Sequence, residues 1–128
     1  MGKRRFTELG WRKDPWFRAL CAAIASCKTE EEIGDFLRDL GSLSELQSWS
    51  ERLEVAKLLS QGLTYRDVAK HTGASTTTVT RVAKSIENGT GAYRKYLIGL
   101  QKKEAIKKFE TPEEVKPGKG GEALRKYL

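Results

Sequence analysis

Between Thr64 and Ile86 the chain reads TYRDVAKHTGASTTTVTRVAKSI, and one glycine in that run limits the fold more than any other residue. Gly73 lies between two short amphipathic segments. Glycine enters the left-handed backbone region without a Cβ clash, so it marks a sharp turn between helices. Upstream, Thr64 with Asp67 three residues on predicts a helix start, and the first helix is expected over about Tyr65 to His71. Downstream, Ser75 predicts the cap of a second helix with Val79, Val82, Ala83 and Ile86 facing inward. Ala69 is small where two crossing helices approach, and Val68 fills the core beside it. Small, turn and apolar requirements are met together, which is the spacing of a helix-turn-helix at residues 64–86.

The rest of the chain repeats at helical period. Trp16, Leu20, Ala23, Ile24 and Cys27 fall on one helix face. Thr29 with Glu32 forms a capping box ahead of the stripe Ile33, Phe36, Leu37 and Leu40, which Gly41 ends. Ser42 with Glu45 opens a further helix carrying Leu46, Trp49, Leu53, Ala56 and Leu59. No alternating strand pattern and no internal repeat is present, so the expected class is all-α. Apolar stripes usually mean a helical core. Here Trp16, Phe17 and Trp49 add more large apolar surface than one small bundle hides, which favours a homodimer. A length of 128 residues suits one domain with appendages. The expected layout is a basic segment over 1–13, a helical domain over 14–98 and a basic tail over 99–128. In that tail Lys102, Lys103, Lys107 and Lys108 suggest a frayed helix, Thr111-Pro112-Glu113-Glu114 another helix start, and Pro117 to Gly121 a linker. The tail reads either as disordered or as an arm that follows a nucleic-acid backbone.

Charge is segregated along the chain. Residues 1–18 hold six basic and two acidic side chains, and residues 19–54 hold three and eight. Residues 55–100 hold seven and two, and 101–128 hold eight and five. The net +7 suggests a polyanionic partner, and the basic block around the helix-turn-helix makes double-stranded DNA the expected one. The longest strongly apolar stretch, Ala19 to Cys27, is far short of a membrane span, so no membrane partner is expected. Lys3, Arg4 and Arg5 ahead of it, with Ile24-Ala25-Ser26-Cys27, faintly resemble a processed leader. Glu8, Asp14 and Pro15 interrupt that pattern, so a retained helix is expected. Cys21 and Cys27, six apart, read as buried small side chains of a reducing compartment. With His71 they make no metal set, and no nucleophile or glycine-rich phosphate loop accompanies them, so no enzyme is expected. The expected location is cytoplasmic and nucleoid-associated.

The outward chemistry of the second helix carries the functional reading. Thr76, Thr77, Thr78 and Thr80 crowd its start, although β-branched residues are poor helix formers. Short hydroxyls bond phosphates and base edges, and the threonine methyl suits the thymine methyl. The helix N-terminus adds donors for phosphate. Arg66, Lys70, Ser75, Arg81 and Lys84 complete the candidate DNA-binding set; their ordinary role would be to solubilise a surface.

On the stretch LQSWSERLEVAKLLSQGLTYRDVAKHTGASTTTVTRVAKSIENG, and above all on ERLEVAKLL, TGAST and TVTRV, residues from about Trp16 to Ile98 resemble the Trp repressor superfamily, notably its shorter YerC/YecD-type branch. The resemblance implies a Trp-repressor-like multi-helix fold, an intertwined homodimer built through the N-terminal helices, and binding to operator DNA. It implies that Arg66 reads guanine and that Thr76, Thr77, Thr78 and Thr80 start the recognition helix. It places Arg81 and Ser85 at positions that hold an amino-acid co-repressor in the tryptophan-dependent member. The second ligand arginine falls at Glu51, or at Arg52 if a gap is opened in the helix. Val82 stands where a glycine walls the pocket. The candidate ligand set is therefore Arg81, Ser85 and Arg52, but a carboxylate opposite Glu51 would be repelled. No cofactor is expected, and an amino-acid co-repressor is disfavoured.

These features predict a sequence-specific transcription regulator, a repressor by resemblance, acting as a homodimer. The competing reading is a non-specific nucleic-acid or chromosome-associated basic protein whose lysine-rich ends supply the affinity. A third is a protein-interaction module or an anchored lipoprotein, with the helix-turn-helix as scaffold alone.

Overall fold

The structure is a computed structural model that describes residues 5–110. The expectations for Lys3, Arg4, and the segment from Thr111 through the glycine-rich stretch lie outside the described residues. Six α-helices follow a single 3-10 turn at Trp11–Lys13: α1 Pro15–Ser26, α2 Glu30–Leu40, α3 Leu43–Ser60, α4 Tyr65–Thr72, α5 Thr76–Asn88 and α6 Ala92–Glu110. No strand occurs among the described residues, and the expected all-α class holds. The chain divides into two compact units, at Met1–Leu46 and Gln47–Leu128.

In the first unit, local chemistry fixes the helix ends. Asp14 caps α1 by accepting from the Trp16 amide at 2.8 Å, and Pro15 suits the first helical position. Thr29 caps α2 through the Glu32 amide at 3.1 Å, and Glu30 to Glu32 place negative charge against the helix dipole. Ser42 and Glu45 form a reciprocal box, with bonds of 3.1 and 2.9 Å. Accepting from the Ser42 amide holds the Glu45 carboxyl below its ordinary value. Phe17 meets Trp11 edge-on at 5.2 Å and Phe6 at 6.2 Å.

The apolar stripes do not become core in this unit. Neither α1 nor α2 buries a residue. Cys21 is exposed and Cys27 half-buried, both as free thiols, which corrects the expectation of buried cysteines. The physical reason is that a thiol on a helix is buried only where another element covers its face, and no residue of α1 reaches full burial.

The core lies in the second unit. Val55, Ala56 and Leu59 of α3 join Val68, Ala74, Val79, Val82, Ala83, Ile86 and Leu97. The stripe of α3 therefore splits: Ala56 and Leu59 are buried, while Trp49 and Leu53 stay exposed. α4 packs on α5, and α5 on α6. α6 starts earlier than the lysine pattern suggests and runs unbroken from Ala92 past residue 99.

Candidate nucleic-acid interface

The candidate interface is built on α4, the turn and α5. Thr64 caps α4 by accepting from the Asp67 amide at 3.1 Å, as its spacing predicts. The helix ends at Gly73, whose φ of +77° is left-handed and whose amide returns to the Ala69 carbonyl at 2.9 Å. Thr72 organises the turn: its hydroxyl donates to the Val68 carbonyl at 2.8 Å and accepts from the Ala74 amide at 3.1 Å. Sequence reading missed this residue, because a threonine beside a glycine is unremarkable without the geometry. Ser75 then caps α5 through the Thr78 amide at 3.1 Å.

The two faces of α5 separate cleanly. Val79, Val82, Ala83 and Ile86 are buried, as expected from their spacing. Thr76, Thr77, Arg81 and Lys84 are exposed, and Thr80 is half-buried. Thr77, Thr80, Arg81 and Lys84 follow the i, i+3, i+4, i+7 rule, so they share one outward face. On α4, Arg66 and Lys70 are exposed and one turn apart.

The four threonines are not equivalent. Thr80 donates its hydroxyl to the Thr76 carbonyl at 2.9 Å. Thr78 is half-buried, and its hydroxyl accepts from the Ser75 hydroxyl at 3.0 Å. Thr76 and Thr77 are the exposed members of the set. Branched residues at a helix start are thus partly explained by local bonding, which composition cannot reveal.

Behind α5 lies a polar cleft of about 300 Å³, lined by Arg52, Thr78, Arg81, Val82, Ser85 and Tyr93. It brings together the three ligand candidates Arg52, Arg81 and Ser85. Arg52, not Glu51, is the α3 side chain that lines it. Tyr93 was not foreseen. Burial pushes its phenol above the ordinary value, and the Arg52 charge partly offsets that rise. Arg94 was also missed. Its guanidinium donates to the Ile86 carbonyl at 2.8 Å and to the Glu87 carbonyl, clamping the last turn of α5 to the first turn of α6. His71 faces the Asp67 carbonyl at 3.1 Å within its own helix. Among the described residues no group of acidic, histidine or cysteine side chains could hold a metal ion. No described helix is long and apolar enough to cross a membrane.

Comparison with known proteins agrees with this geometry. The family model described as Trp repressor protein matches residues 16–101. The YerC protein of Bacillus subtilis (strain 168) is 39% identical over 89 residues, covering 70% of this chain and 80% of that protein. A solved TrpR-like protein from Eubacterium eligens ATCC 27750 is 39% identical with a TM-score of 0.66, covering 70% of this chain and 92% of that one. A solved chain from Staphylococcus aureus is 34% identical with a TM-score of 0.68, covering 75% and 96%.

Proposed function

Because the chain belongs to the Trp repressor protein family, we propose that it is a sequence-specific DNA-binding transcription regulator, acting as a homodimeric repressor on nucleoid DNA in the cytoplasm. The observation that carries this reading is the exposed face of α5, where Thr77, Arg81 and Lys84 stand over a fully buried opposite face. Such a helix enters a major groove with its N-terminal residues on base edges. Arg66 and Lys70 on α4 flank it, with Arg66 the candidate for guanine. Two copies would present two such helices to half-sites about 34 Å apart, one turn of duplex.

Selection of binding sites from random duplex DNA at physiological salt tests this. Wild type is expected to enrich a two-fold symmetric motif. Arg66→Ala is expected to blur it at guanine positions, at a cost of about 1–3 kcal/mol per lost bidentate contact. Binding that enriches no motif and merely falls steeply with salt would replace this reading with the non-specific one.

A further inference from the structure

Two cavities meet at one side chain. The polar cleft of about 300 Å³ lies between Arg52 of α3 and the Thr78, Arg81 and Ser85 edge of α5. An apolar cavity of about 500 Å³ lies beside it, against Leu53, Ala92, Tyr96 and the loop from Gly89 to Gly91. The linings share only Ser85 and Tyr93. Serine is too short to divide them, so the Tyr93 ring is the partition.

The halves differ in chemistry. Two guanidiniums and three hydroxyls face the polar half, and none of the described acidic side chains lines it. It suits a compact anionic group. The other half suits a ring or an aliphatic group. A ligand with a carboxylate at one end and an aromatic ring at the other would need both halves at once, and its ring would have to lie where Tyr93 lies.

We infer that Tyr93 is the specificity-determining residue of this cleft: its ring excludes an aromatic amino acid and admits only a compact anion. DNA binding by the chain then does not wait on an aromatic co-ligand; this last consequence rests on the function proposed above. The ring is not free to swing away. It packs against the buried core. The next residue, Arg94, ties the start of α6 to the Ile86 and Glu87 carbonyls, which fixes the backbone that carries the ring.

The test is a calorimetric titration of the full chain with glycine and with L-tryptophan. The two probes share an ammonium and a carboxylate and differ by the ring. Wild type is expected to take L-tryptophan no more tightly than glycine. Tyr93→Ala, joining the cavities, is expected to prefer L-tryptophan by about tenfold or more. Tyr93→Phe keeps the ring and is expected to match wild type. A tenfold preference for L-tryptophan in wild type overturns the inference, as does a folded Tyr93→Ala with no preference. Should Tyr93→Ala lose its cooperative melt, the wild-type and Tyr93→Phe titrations decide alone. Duplex binding by wild type at fixed salt is expected to be unchanged by L-tryptophan, and a tenfold gain would also overturn the inference. Failure of all duplex binding would refute the proposed function instead, while the calorimetric arms still judge the partition.

Discussion

Gly73 and Gly89 close the two approaches to α5 for different reasons. At Gly73 the backbone is left-handed, yet an added Cβ would meet nothing within 4 Å. Only the backbone conformation resists substitution, so Gly73→Ala should cost about 1–2 kcal/mol. At Gly89 φ is ordinary, but a Cβ would stand 2.3 Å from the Ser85 carbonyl oxygen. Backbone has to shift there, and Gly89→Ala should destabilise more than Gly73→Ala. Urea denaturation of both variants checks the order. Only one of the two was legible in the sequence. Gly73 announces itself, because turn, small and apolar positions surround it at fixed spacing. The demand on Gly89 comes from a carbonyl one helical turn earlier and appears only when the helix end is built. The same contrast divides the threonines: residue type marked all four, but only geometry tells which hydroxyls α5 spends on itself.

At the scale of the element, capped helix starts and the glycine ends at Gly41 and Gly73 were readable, whereas the end of α5 and the start of α6 were not. Thr29, Ser42, Thr64 and Ser75 each cap with a residue three positions on, so a short window of sequence suffices. Asp14-Pro15, which first reads as an interruption, is the same kind of device at the start of α1. The far end of α5 depends on a donor from the next helix. Arg94 reaches back eight residues to Ile86 and seven to Glu87. Replacing it by alanine removes two charge-assisted bonds from a half-buried site. The expected loss is about 1–3 kcal/mol, toward the lower end because water screens part of it. The last turn of α5 should also exchange its amide hydrogens faster, with α4 unaffected. Lysine should restore only part, since it lacks the planar fork. Amide exchange followed residue by residue separates this local loosening from global unfolding. The early start of α6 escaped the sequence for a related reason: Gly99 interrupts its apolar pattern, while the helix itself continues through it.

At the scale of the whole molecule, apolar surface and burial do not balance within one copy. α1 and α2 bury no residue, and Leu43, Trp49 and Leu53 are 65%, 41% and 42% exposed. Unshared apolar area of this kind costs about 25 cal/mol per Å² left in water. Sedimentation equilibrium should therefore give about twice the chain mass of 14.4 kDa. The double variant Trp49→Asp, Leu53→Asp, altering exposed positions outside the core, should shift the mass toward one copy. A wild-type mass of one copy would refute the dimer. Periodicity named these stripes as apolar but could not say whether the same chain or another covers them. The division of α5 has a different reach. Its inward residues, Val79, Val82, Ala83 and Ile86, serve the core, while Thr76, Thr77, Arg81 and Lys84 are exposed. Substitutions on the outer face can accumulate without eroding the scaffold. Descendants of one ancestor can thus keep a common interior while their preferred targets drift apart, and likeness of fold among them is no guide to shared regulatory circuits.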